Sequence, residues 1–171
     1  KSLMARLGWT PGPAFTLGVL GYWGPEKTDN DEDTRQGVDV LATFKGLSKT
    51  TLAAQFDYGS EENSAADGGS ATWWGLGGWL MYDLGARSQI ALRADYVDDK
   101  DGVRTSNVYG FGPVASRQFG SITATYNWRL MPKLLIRPEA RYDYSSEDDY
   151  GDIDGLQSYN FSLGMGASYQ F

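Results

Sequence analysis

The chain contains no cysteine and no histidine. Disulfides and thiolate metal sites are therefore excluded, and the commonest general base and transition-metal ligand are missing. A Ser–His or Cys–His nucleophile cannot be assembled. Proline is scarce, at 6 of 171 residues. No stretch reaches the roughly 18 unbroken apolar residues of a membrane helix. Mean hydropathy is −0.43, a value that fits a soluble chain and a transmembrane barrel equally, because half of each barrel strand faces away from lipid. Basic residues are the minority. The net charge of −7 argues against nucleic acid as a partner. A length of 171 residues points to one domain. Nothing in the sequence calls for a cofactor or a metal.

What is present is strand-and-turn composition: 22 glycines and 14% aromatics. The C-terminal segment is the clearest. From Tyr159 to Phe171 every odd position is apolar or aromatic, and the even positions are Asn160, Ser162, Gly164, Gly166, Ser168 and Gln170. Only a strand with one greasy and one polar face needs that period. Nine such segments are predicted, at 2–9, 13–24, 36–45, 50–60, 71–84, 88–97, 120–130, 133–145 and 158–171. Short connections (Thr10–Gly12, Gly46–Lys49, Gly85–Arg87, Met131–Pro132) alternate with long ones (24–34, 61–70, 98–119, 146–157). Short turns on one side and long loops on the other describe an antiparallel up-and-down meander. All but six of the 22 acidic residues fall in the long connections. The six, Asp39, Asp57, Asp83, Asp95, Glu139 and Asp143, lie on polar strand faces, and no acid is expected on a greasy face.

A soluble sandwich alternates in the same way, with its greasy face inward. The aromatics decide between the two. On the greasy faces the turn ends carry Trp9, Phe15, Phe44, Tyr82, Tyr126, Trp128, Tyr169 and Phe171. The loop ends carry Trp23, Phe56, Tyr58, Trp74, Tyr96, Tyr142, Tyr144, Tyr159 and Phe161. Aliphatics such as Val19, Val40, Leu76, Leu92, Ile136 and Leu163 lie between. Two aromatic girdles around an aliphatic band suit a bilayer, because Trp and Tyr favour its interfaces. The strands are also long enough to cross it at a tilt. The predicted fold is all-β: an antiparallel up-and-down transmembrane β-barrel of about 8–10 strands, nine by count.

An odd count places the first and last strands parallel at closure. Three resolutions are weighed: segment 2–9 is not a strand, closure is parallel, or residues 1–171 are the C-terminal part of a larger barrel. Pro138, mid-strand on the greasy face, cannot donate to the ladder and is expected to sit at a bulge or distortion.

Several segments resemble the OmpL-like family of β-barrel porins of Gram-negative bacteria. They are Arg6-Leu7-Gly8-Trp9-Thr10-Pro11 leading into Phe15-Thr16-Leu17-Gly18; Gly21-Tyr22-Trp23-Gly24-Pro25-Glu26; and Leu52-Ala53-Ala54-Gln55-Phe56-Asp57-Tyr58-Gly59. Two more are the run from Leu92 to Arg104 and Ile136-Arg137-Pro138-Glu139-Ala140-Arg141-Tyr142-Asp143-Tyr144-Ser145. The likeness covers nearly the whole chain, in the order of the family's C-terminal half, and its members are considerably longer. The resemblance implies an outer-membrane location and no catalytic residue.

The expected function is porin-like passive diffusion of small hydrophilic solutes or ions. The expected lumen residues are Arg6, Asp39, Asp57, Arg93, Asp95, Arg137, Glu139, Arg141 and Asp143, read either as a selecting constriction or as a satisfied interior network. A Glu139–Asp143 acid–base pair is the weaker reading, since Arg137 and Arg141 share their face, and the chain is not read as an enzyme. The alternative function is a narrow closed barrel with a structural or adhesive role through its acidic loops. Three acidic clusters (29–33, 98–102 and 152–155) carry clustered oxygens of the kind that bind calcium. An EF-hand needs Gly at position six and Glu at position twelve, and counting from Asp29 those positions hold Thr34 and Val40. The clusters read as solvated loops, able to bridge lipopolysaccharide through divalent cations. The other expected partners are the lipid bilayer, the barrel-assembly machinery through the C-terminal strand, and a second copy as oligomer.

Overall fold

A computed structural model describes residues 1–105, 116–152 and 155–171. Nine strands form one antiparallel sheet in simple sequence order. They are β1 (Leu3–Gly12), β2 (Phe15–Pro25), β3 (Thr34–Leu47), β4 (Thr50–Glu61), β5 (Ala71–Gly85), β6 (Ser88–Asp99), β7 (Arg117–Met131), β8 (Leu134–Ser145) and β11 (Tyr159–Tyr169). Between β8 and β11 the chain makes a small hairpin of β9 (Tyr150–Asp152) and β10 (Gly155–Gln157). Ile153 and Asp154, part of the third acidic cluster, lie outside the described residues, as do 106–115.

All four short connections are two-residue turns: Pro13–Ala14, Ser48–Lys49, Ala86–Arg87 and Pro132–Lys133. Each begins one to three residues later than the sequence pattern places it, because the strands continue through residues of weak pattern. A register shift sits beside each turn, between Trp9 and Gly12, Phe44 and Leu47, Asp83 and Gly85, and Arg129 and Met131. Such bulges raise local twist where a sheet must coil.

Segment 2–9 is a true strand, so a miscount does not explain the odd number. Within the described residues β1 pairs with β2 and β11 with β8, and the two edge strands run in the same direction. Two expectations need correction in detail. The register passes Pro138 unshifted, with Met165 opposite on β11 and Glu139 still facing Thr125 on β7, so there is no bulge; the distortion is a lapse of pairing with β7 at Arg137 and Pro138. Proline's fixed φ is compatible with extended backbone, and what it removes is one ladder donor. Pro138→Ala is therefore expected to raise the urea midpoint of the folded barrel slightly; a lower midpoint contradicts this. The second is Asp98. It belongs to β6, opposite Trp74, and so one acid does occupy the greasy face, at its loop end beside Tyr96.

No dry core exists. Among the described residues Ala71 is the one buried hydrophobic side chain, while Leu163 is 75% and Met165 76% exposed. The chain exposes 11433 Å², against about 8,300 Å² for a compact globular protein of this mass. An apolar face of this size has no place in water. No helix of the described residues is long and apolar enough to cross a membrane.

Candidate functional site

Strand alternation and register place every predicted charged residue on the polar face. One row runs Arg6, Leu20, Asp39, Asp57 and Gly75 across β1 to β5. The next row toward the turns contains Gln55, Gly77, Asp95, Ser121, Asp143 and Asn160. The one after that contains Trp79, Arg93, Thr123, Arg141 and Ser162. Glu139 follows, opposite Thr125.

These residues do not form one network. Arg93 Nε lies 2.6 Å from Asp95 and Arg141 Nη2 2.7 Å from Asp143, each pair within one strand. Arg141 Nε also donates to Asp143 at 2.7 Å. Ser121 Oγ donates to Asp95 at 3.1 Å, and Thr125 Oγ1 to Glu139 at 2.8 Å. Asp39 and Asp57 face each other, and Gln55 Nε2 donates to Asp39 at 2.5 Å. Arg6 and Arg137 have no carboxylate within 4.0 Å among the described residues. Gly18 lies beside Arg6: a Cβ there would be in ordinary contact with its Nη2, at 3.7 Å.

Arg93, Asp95, Ser121, Arg141 and Asp143 line a cavity of about 470 Å³, closed on one side by Tyr150 of β9. The β9–β10 hairpin thus leans over the polar face. Asp149 anchors it: it pairs with Arg117 of β7 and accepts a 2.5 Å hydrogen bond from Ser145 Oγ of β8. Both members of the ion pair are almost fully buried.

The outer loops are tied as well, which corrects the reading of every acidic cluster as merely solvated. Lys27 Nζ lies 2.8 Å from Asp33 and donates to the carbonyls of Glu62 and Asn63 at 2.7 and 2.9 Å. Asn63 Nδ2 donates to Asp33 at 2.6 Å. Glu62 accepts from the backbone N–H and hydroxyl of Thr34, both at 2.8 Å. Asp99 is fully buried and accepts from the N–H groups of Arg104 and Thr105 and from the Thr105 hydroxyl. The hydrogen bond from Lys27, then that from Asn63, holds the Asp33 carboxyl below its ordinary value of 3.8. The Thr34 N–H, then its hydroxyl, does the same for Glu62, below 4.5. A lowered carboxyl pKa stabilises the folded arrangement above the ordinary value, and that contribution is lost as pH falls through the lowered one. The ties should therefore hold at neutral pH and fail progressively in strong acid, below 4.5 and then 3.8. A spin label at Ala66→Cys is expected to be immobile at neutral pH and mobile in strong acid. With Lys27→Met it should be mobile at both, and a label insensitive to pH contradicts the account.

On the opposite face the aromatics form neighbouring groups at both ends. Trp74 stands 6.4 Å from Phe56 and 5.2 Å from Tyr96, ring centre to centre, and Tyr142 stacks on Tyr159 at 6.3 Å. At the turn ends Trp9 meets Phe15 at 5.9 Å and Tyr169 meets Phe171 at 6.5 Å. Trp23, Tyr82, Trp128 and Tyr144 share this face by register. Phe171 lies just past the end of β11.

A family model described as "Putative beta-barrel porin-2, OmpL-like" matches residues 1–171. The chain belongs to this OmpL-like porin family. Solved structures agree on the fold. The outer membrane channel DcaP of Acinetobacter baumannii matches with a TM-score of 0.62 at 13% identity, over 97% of this chain and 51% of that one. The NanC porin matches with a TM-score of 0.57 at 15% identity, over 99% of this chain and 78% of that one. The chain thus spans about half the length of DcaP. No curated protein matches it by sequence. This OmpL-like porin is a protein of the bacterial outer membrane. Its sheet is the wall of a transmembrane β-barrel, and its greasy face meets lipid.

Sequence reasoning missed the aromatic residues of the polar face. Arg93 lies over the Trp79 ring at 5.4 Å and Arg104 over Trp73 at 5.0 Å. Parity alone places Trp73 and Trp79 with Gly75 and Gly77, away from the girdles. The missing cue was Gly59, whose lack of a side chain lets the Trp73 ring approach it closely. The inward hairpin and Tyr150 gave no signal, because three-residue strands are too short to show a period.

Proposed function

We propose that this OmpL-like porin forms a water-filled channel for passive diffusion of small hydrophilic solutes and ions. The observation that supports it is one continuous polar face on which small residues (Gly75, Gly77, Ser121) stand among charges of both signs, a lining that water can wet. Charged groups lining a pore select solutes by field and size. In this reading Arg6, Asp39, Asp57, Arg93, Asp95, Arg137, Glu139, Arg141 and Asp143 line the lumen, and the acidic loops favour cations at its mouth. The residues take no catalytic part.

Residues 1–171 contribute one continuous wall. A strand edge in hydrocarbon leaves its N–H and C=O groups unpaired, at several kcal/mol each. The edges of β1 and β11 are therefore covered. Because they run in the same direction, an odd number of intervening strands closes the barrel antiparallel throughout. The Trp and Tyr girdles hold the barrel at its two interfaces, the loops meet lipopolysaccharide, and the C-terminal strand engages the assembly machinery.

Reconstitution into a planar bilayer tests the reading. Discrete open steps with an ohmic current are expected. A heat-modifiable, folded barrel that never conducts would show that the lumen is closed.

A further inference from the structure

We propose that the cavity roofed by Tyr150 is a binding station for a small zwitterion such as an α-amino acid, its carboxylate taken by Arg93 and Arg141 and its ammonium by Asp95 and Asp143. The inference rests on the channel reading and names a solute class for it.

Two adjacent rows of the polar face carry opposite charge. Asp95, Ser121 and Asp143 are in register with one another, and so are Arg93, Thr123 and Arg141. Like charges in each row are two strand spacings apart, about 10 Å. Each arginine bends along its own strand to its acidic neighbour, at 2.6 and 2.7 Å. Cationic and anionic groups therefore end side by side around one space. The contacts engage Oδ2 of Asp95 and Oδ1 of Asp143, and a bound ammonium can take the second oxygen of each.

The Arg93 and Arg141 side chains both line the cavity and are 49% and 42% exposed. Each guanidinium carries five N–H donors, more than its one acidic neighbour can take. The charge balance selects the ligand. Two guanidinium groups and two carboxylates sum to zero, so a simple anion or cation meets repulsion as well as attraction. A molecule carrying both charges meets attraction from each row. Desolvating such a pair of charges is compensated only where both find partners. The cavity of about 470 Å³ accommodates a small molecule.

The test is swelling of liposomes holding the full chain as it folds in the membrane. The probes are glycine, the size-matched neutral glycolamide, and acetate. At low millimolar concentration glycine is expected to enter at least threefold faster than glycolamide and to saturate as its concentration rises. In Arg141→Gln/Asp143→Asn, which removes one charge of each sign, the ratio of glycine to glycolamide rates should fall to about one. Arg93→Gln/Asp95→Asn is expected to do the same and serves if the first variant fails to give a heat-modifiable barrel. A wild-type ratio near one, or acetate entering faster than glycine, overturns the zwitterion station while leaving the channel intact. No swelling with any probe overturns the channel reading instead, and the station with it.

Discussion

Leu163→Arg is expected to cost the folded barrel about 2–4 kcal/mol, the range for a cation placed on the lipid face at the bilayer midplane. Leu163 stands at the centre of β11, opposite Ala140, and is 75% exposed. Its surroundings are hydrocarbon, and the charge has no partner there. The expected signature is a profile with depth. Tyr159→Arg, four residues nearer the loop end of the same strand, should cost only about 0–1 kcal/mol, because the headgroup region solvates a cation. Asn160→Arg, on the other face and opposite Asp143, should be nearly neutral. Reversible urea unfolding in lipid vesicles measures all three. A soluble core would penalise Leu163→Arg too, but it would not relieve the penalty toward one end of the strand. Equal losses at Leu163 and Tyr159 would contradict the membrane assignment.

The second large effect is expected from Asp149→Ala. Asp149 pairs with Arg117 and takes the Ser145 hydroxyl, and both partners are buried. Removing one member of a buried pair leaves the other charge undercompensated, at about 3 kcal/mol. The same substitution removes the side-chain anchor that joins the segment before β9 to β7 and β8, and so loosens the β9–β10 hairpin. Tyr150 is the next residue, and it closes one side of the cavity above Arg141. Two readouts should therefore move together. The urea midpoint should fall, and the single-channel conductance should rise with added noise as the hairpin leaves the charged face. A lower midpoint with unchanged conductance would mean that the hairpin stabilises the wall without narrowing the path.

The fold was legible because membrane strands must alternate along their whole length. The pattern from Tyr159 to Phe171 names its own two faces, and the short turns and long loops then order the meander. Parity also assigned Arg93, Asp95, Arg141 and Asp143 to one face, but it could not show that each arginine would choose the acid two residues along its own strand. That choice depends on register, which sets Ser121 and Thr123 between the pairs. Pro138 misled only as to the bulge its type suggested, while the neighbouring strands hold the register. Asp98 was placed in a loop because acids usually end strands, yet β6 continues one residue beyond it. Asp149 stood among Glu147, Asp148 and Asp149, three acids with no mark to single out the buried one. Tertiary pairing with Arg117, distant in sequence, decided the matter.

The central claim is one of orientation, and site-directed spin labelling of the folded protein in lipid vesicles tests it most directly. Labels at Leu92, Ile136 and Leu163 should collide readily with membrane-dissolved oxygen and be shielded from a water-soluble nickel chelate. Labels at Arg93, Arg137 and Arg141, each one residue away or on the facing side of the same strands, should show the reverse. Nickel access at the first three together with oxygen access at the second three would contradict the account.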